Sequence, residues 1–186
     1  MLGRPEDAIA SYRTALGADP GFATCQSALA CATNYLTDYD PEAAFGEHLA
    51  WVTNHVEGRF QPVDRFANDP STGRRLRIGY VSPDLRRHPV GYFLEPVLVN
   101  HDKARFEVVC YATNPASDEV SERLKKHCAR WRDVQLHDPS AIADAVRADG
   151  IDILVDLSGH TAGNCLMSFA RRLAPVQATW MGYVNT

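Results

Sequence analysis

The residues best placed to do chemistry form three short groups. Asp84, His88 and Pro89 stand in SPDLRRHPVG (82–91). Ser158, His160 and Thr161 stand among glycines in SGHTAGN (158–164), and Met181, Gly182 and Tyr183 stand in MGYVNT (181–186). Asp84 and His88 are four positions apart, so one helical turn would bring carboxylate and imidazole together. Histidine titrates near neutrality and can exchange a proton or donate to a phosphate. Glycine-flanked backbone N–H groups can approach an anion. These groups fit a nucleotide or sugar-phosphate site. The competing reading, which they fit less well, is turn chemistry beside a solvent-exposed histidine. A Ser82–His88–Asp84 hydrolase is a third arrangement. There is no G-x-G-x-x-G after the first strand, no Walker A sequence and no G-x-S-x-G elbow.

The elements around these groups alternate. LRIGYVS (76–82), FEVVCYAT (106–113), WRDVQ (131–135), IDILVDL (151–157) and VQATW (176–180) read as strands. Helices are expected over 91–100, 118–129, 140–149 (capped by Ser140 and ended by Gly150) and 164–172. Repeated strand–helix alternation predicts a parallel, doubly wound α/β sheet with right-handed crossovers. Ligands of such sheets bind at the carboxyl ends of the strands, where the three groups fall.

The first 57 residues read differently. In GRPEDAIASYRTALGADP, Ala8, Tyr12 and Ala15 share one helical face and Pro20 stops the helix. Small–aromatic–small order with a late proline is the pattern of the second helix of a tetratricopeptide repeat. One such unit cannot bury its face alone, so the N-terminus is expected to be cut from a longer array or to dock on a partner. A second helix is expected over 22–36. A third should start at the Asp40-Pro41-Glu42 cap and present Phe45, Leu49, Val52 and Val56 as its apolar stripe. His48 and His55 are expected as packing or surface histidines. Residues 58–74 read as a linker before a lobe over 75–186.

Composition narrows the function. The 186 residues carry a formal charge of −4, with 45% hydrophobic and 23% charged residues, which is globular composition. The basic pairs Arg74-Arg75, Arg86-Arg87, Lys125-Lys126 and Arg171-Arg172 read as solvated surface, so no nucleic-acid partner is expected. No C-x-x-C or metal-ligand spacing occurs among the five cysteines, and no metal is expected. The odd cysteine count and the lack of an apolar leader or spanning run predict a reduced, cytoplasmic, membrane-free protein.

The runs RLRIGYVSPDLRRHPVGYFLEPVL, FEVVCYAT, DGIDILVDLSGHTAGN and RLAPVQATWMGY, in that order, resemble the O-linked N-acetylglucosamine transferase family with its SPINDLY-like and bacterial members. The resemblance spans about residues 75–183 and implies the first Rossmann-like lobe of a GT-B glycosyltransferase. It implies inverting, metal-independent transfer from a nucleotide sugar such as UDP-GlcNAc to protein Ser or Thr, with no cofactor. In that family's D-x-x-x-H-P motif the essential histidine falls on His88 and an aspartate linked to proton removal on Asp84. Pro89 and Val90 continue the donor-contacting loop, where Val90 replaces a residue that is often a hydroxyl type. Met181 and Gly182 match a loop lining the sugar pocket, and His160 and Thr161 match the bacterial loop after the fourth strand. Val184-Asn185-Thr186 replaces the family's Pro-Gly-Thr. Roughly 110 residues of α/β cannot hold both lobes, so the chain is expected to lack the main donor-binding lobe and to be inactive by itself. The helical segment would hold protein acceptors. The competing expectation is an inactive interaction module that works through that segment, or that dimerises through an uncovered lobe face.

Overall fold

The computed structural model describes residues 3–61, 63–71, 73–134 and 139–183. The chain divides into two compact units: Met1–Gln61 with His160–Ala162 and Tyr183–Thr186, and Pro62–Gly159 with Gly163–Gly182.

In the first unit, α1 spans Pro5–Ala18, α2 Ala23–Thr33 and α3 Pro41–His55. Proline opens α1 and α3, where its missing N–H and fixed φ cost nothing. Asp40 caps α3, its Oδ1 accepting from Glu42 N at 2.9 Å and Ala43 N at 3.2 Å. Ile9 on α1 packs with Leu29 and Ala32 of α2, and Tyr12, Leu16 and Leu36 close around them. The expected face of α3 is overturned. Phe45, Leu49 and Val52 are exposed, while Ala44, His48, Trp51 and His55 turn inward. The inward polar rings find partners there: Trp51 Nε1 donates to Ala23 O at 3.1 Å, and His55 Nε2 meets Gln26 Oε1 at 2.8 Å.

The second unit is a five-stranded, all-parallel sheet in the order β3-β2-β1-β4-β5. The strands are β1 Leu76–Ser82, β2 Phe106–Ala112, β3 Arg130–Asp133, β4 Ile153–Asp156 and β5 Val176–Thr179. The helices are α4 Pro89–Asn100, α5 Glu119–Lys125, α6 Pro139–Asp149 and α7 Leu166–Phe169. Side chains alternate across each strand. Ile78, Tyr80, Val108, Cys110 and Val155 face Leu94 and Leu98 of α4 and Val120 and Leu124 of α5. Val81, Val109, Tyr111 and Leu154 face Ile142 and Val146 of α6, with Leu173 and Ala174. Helices therefore cover both faces, as a doubly wound sheet requires.

Several boundaries depart from expectation, among them the end of α5, which stops at Lys125 rather than at 129. Ser140 does not cap α6, which already begins at Pro139. Helix α7 is a single turn, closed by Arg172 in the left-handed region (φ 55°). Strand β4 starts at Ile153 rather than at 151, and the Asp152 side chain before it bonds to the strand beside it. Its Oδ2 accepts from Arg77 N at 2.8 Å and from Arg74 at 2.7 Å, while Asn68 donates to its Oδ1 at 2.7 Å. Through those bonds Asn68 and Arg74 are fastened to the sheet, so the later part of the expected linker belongs to this unit.

Candidate active site

The strand order reverses between β1 and β4, and the loop after β1 leaves from that switch point. Ser82 is fully buried, and its Oγ accepts from Asp84 N at 2.9 Å. A buried, occupied hydroxyl is no nucleophile, so the hydrolase arrangement has no accessible attacking group. Leu85 plugs the core beneath the loop, and its carbonyl accepts from Ser121 Oγ at 2.8 Å. Asp118, the N-cap of α5, accepts from Arg87 N at 2.7 Å. Arg87 Nε donates to Glu119 at 2.9 Å. The start of α5 thus grips the backbone of the loop.

His88 is the N-cap of α4. Its backbone is extended, and its Nδ1 accepts from Val90 N at 3.3 Å. An accepting Nδ1 leaves the proton of the neutral ring on Nε2. His88 is about two-fifths exposed, and Asp84 Oδ2 lies 3.8 Å from its Nδ1. That distance is too long for a hydrogen bond. Arg86 reaches the other oxygen of Asp84 at 3.4 Å. Pro89 is exposed at the first helical position, and Val90 is buried in the core. At Gly91 an added Cβ would sit 2.2 Å from Arg86 O, so only glycine lets the loop lie against the start of α4. The result is a helix N-terminus, with its partial positive charge, bearing an imidazole N–H donor and an adjacent carboxylate.

The turn after β5 comes to the same side of the sheet. Met181 packs against the cluster that holds Leu85, Val90 and Leu157. Met181 and Gly182 both have positive φ, 62° and 65°. A Cβ on Gly182 would lie 2.5 Å from Ser158 O and 2.6 Å from Leu157 O.

His160 and Thr161 fall in the helical unit. His160 Nδ1 lies 3.0 Å from Ser27 Oγ, and its ring meets His48, Trp51 and Tyr183 edge-on at 5.0, 5.3 and 6.0 Å. Burial, with His48 beside it, lowers its pKa to about 4. His160 thus sits among these rings. Val184, Asn185 and Thr186 lie outside the described residues.

Two supporting residues were not singled out from sequence. One is Asp118, legible as an N-cap from its place before a helical run. The other is Asp156 at the end of β4, which accepts from Ser158 N (3.2 Å), Gly159 N (2.7 Å) and Thr179 Oγ1 (3.2 Å). Burial pushes its carboxyl up despite those donors. An aspartate closing an apolar strand before Ser-Gly is the available signal. Among the described residues no group of three or more His, Cys, Asp or Glu gathers as a metal site, and no helix is long and apolar enough to cross a membrane.

The fold and the position of His88 define an α/β lobe of the class that takes its ligand at the carboxyl edge of the sheet. Comparison with known proteins makes this specific. The family model of glycosyl transferase family 41 matches residues 43–186, and the chain belongs to that family. It is 35% identical over 182 residues to a rice (Oryza sativa subsp. japonica) protein described as "Probable UDP-N-acetylglucosamine--peptide N-acetylglucosaminyltransferase SPINDLY". That match covers 96% of this chain and 20% of the rice protein. It is 37% identical over 127 residues to the UDP-N-acetylglucosamine–peptide N-acetylglucosaminyltransferase of Caenorhabditis elegans, covering 67% of this chain and 11% of the worm protein. A solved structure of a mutant Thermobaculum terrenum O-GlcNAc transferase superposes with a TM-score of 0.92 at 45% identity, over 98% of this chain and 35% of that one. The chain thus spans about a third or less of each relative.

Proposed function

We propose that this chain is part of a protein O-glycosyltransferase that moves N-acetylglucosamine from a UDP donor to serine or threonine hydroxyls, and that the β1–α4 loop handles the donor's diphosphate. The observation that carries the reading is His88, which presents an Nε2–H from the N-terminus of α4 while its Nδ1 is held by Val90 N–H. Transfer with inversion breaks the bond between the anomeric carbon and the diphosphate as the acceptor oxygen attacks. The electron pair leaves with the diphosphate, the acceptor's hydroxyl proton passes to solvent or to the leaving diphosphate, and an imidazole N–H beside a helix N-terminus stabilises the developing charge. Asp84, 3.8 Å from the His88 Nδ1, acts as a positioning residue beside the ring. Pro89 and Val90 set the entry of α4, and Met181 and Gly182 line the sugar side. Protein acceptors would be held by the helical unit, whose α3 exposes Phe45, Leu49 and Val52.

The test uses this chain joined to the remainder of the catalytic region present in its relatives, with radiolabelled UDP-GlcNAc and an acceptor protein. His88→Ala should lower kcat by roughly a hundredfold or more with the fold intact, the usual scale for removing one charge-stabilising donor. Asp84→Asn should cost less. Transfer undiminished in His88→Ala would remove this histidine from the chemistry.

A further inference from the structure

A cavity of about 510 Å³ opens at the other end of the second unit, between the start of β1, residues 63–69 and the end of α6. Five arginines line it: Arg65, Arg74, Arg75, Arg77 and Arg147. No lysine does. This concentration is unusual in a chain with a net charge of −4.

Two carboxylates, Asp69 and Asp152, also line it, too few to balance five guanidinium groups. Asp152 is taken by Arg74, Asn68 and Arg77 N. Asp69 accepts from the backbone and hydroxyl of Ser71, both at 2.9 Å. Arg75 reaches Glu107 only at 3.8 Å, and Arg147 pairs with the exposed Asp144 at 3.4 Å. Arg65 and Arg77 have no carboxylate partner among the described residues. The end of α6 would ordinarily repel an anion, but Asn68 Nδ2 already donates to Gly150 O and Ile151 O, each at 3.1 Å. Apolar side chains of Val63, Phe66, Val146, Ile151 and Leu173 make up the rest of its floor and walls.

We propose that this cavity binds a phosphorylated small molecule with an apolar or planar body, at a site separate from the one built on His88. Guanidinium groups grip phosphate oxygens in pairs, which a lysine cannot do. The volume lies in the range of small-molecule sites and exceeds what inorganic phosphate alone fills. Arg65 and Arg77 take the phosphate, while the floor around Phe66 takes the body. The Arg74-Arg75 pair, which the sequence presents as solvated surface, is then half scaffold and half ligand wall.

The test is titration of the whole chain with adenosine diphosphate and, separately, with inorganic pyrophosphate, followed by amide chemical shifts. Adenosine diphosphate should saturate one site, bind several-fold tighter than pyrophosphate, and shift amides in 65–77 and 147–151. The double variant Arg65→Gln, Arg77→Gln should weaken it roughly tenfold, while His88→Ala leaves these shifts unchanged. The charge-keeping pair Arg65→Lys, Arg77→Lys should also weaken it, through the lost paired geometry, and a thermal melt confirms that each variant is folded. Absence of saturable shifts, shifts confined to 84–91, equal affinity for the two probes, or variant affinity within twofold of wild type would each overturn the proposal.

Discussion

At the scale of single residues, the candidate site depends on groups that make no contact with a ligand. His88 can aim Nε2 outward only because Nδ1 is tied to the first turn of its own helix. That tie requires the loop and α4 to lie in contact, and Gly91 permits it. Its missing Cβ would be 2.2 Å from Arg86 O and 3.2 Å from Val120 Cγ1. The first neighbour is backbone and cannot rotate away. Gly91→Ala must therefore push the loop off the helix, at a cost of about 2–3 kcal/mol as for other overpacked sites. A urea melt of the variant should show that loss, and the His88 ring signals should move with it. An unchanged midpoint would mean that the contact relaxes freely.

At the scale of elements, α5 acts as a clamp. One oxygen of Asp118 accepts from Val120 N at 2.9 Å and Ser121 N at 3.1 Å, and the other accepts from Arg87 N. The Arg87 bond, chiefly, holds the Asp118 carboxyl below its ordinary pKa. Asp118→Ala should free the amides of Val120, Ser121 and Arg87 together, each exchanging with solvent roughly tenfold faster, whereas Asp118→Asn keeps most of the helix cap. Faster exchange at Val120 and Ser121 with Arg87 unmoved would detach the loop from the clamp. Elements were also the scale most open to reading from sequence. LRIGYVS ends where β1 ends because it is apolar on both faces and bounded by turn residues. The Asp40-Pro41 cap likewise fixed the start of α3. The buried face of α3 was not legible there, because hydropathy counts Phe45 and Leu49 as core and two histidines as surface. The structure buries those histidines with the indole of Trp51 between α3 and partners distant in sequence. The ring cluster around His160 was hidden for the same reason: a histidine after a strand has the same spacing whether or not aromatic rings gather on it.

At the scale of the whole chain, the two units respond to acid in different pH windows. In the helical unit, burial lowers the pKa of His160 to about 4, and burial with Arg59 nearby also lowers that of His55. Both rings are neutral in the fold. Below pH 6.5 the unfolded chain takes up protons that the folded unit refuses, so its stability falls as the pH drops from about 6.5 to about 4. In the sheet unit, burial pushes the carboxyls of Asp149 and Asp152 up, but arginine and other donors outweigh it and hold both below the ordinary value. Their stabilisation is complete above about pH 3.8 and is lost only under stronger acid. Asp156, raised by burial, has the reverse sign and favours the fold slightly as the pH falls toward its own titration. Acid between pH 6.5 and 4.5 should therefore loosen the helical unit and spare the sheet. Two indoles report separately, since Trp51 Nε1 donates to Ala23 O in the first unit and Trp131 Nε1 to Asp133 in the second. Over that window the Trp51 indole proton should lose its shift and its exchange protection, while the Trp131 proton holds both. His160→Asn should flatten the Trp51 response, because the asparagine amide can still meet Ser27 without a site to protonate. Simultaneous loss of both indole signals would mean that the units unfold as one. An unchanged Trp51 would mean that the histidine cluster opens to water before it charges.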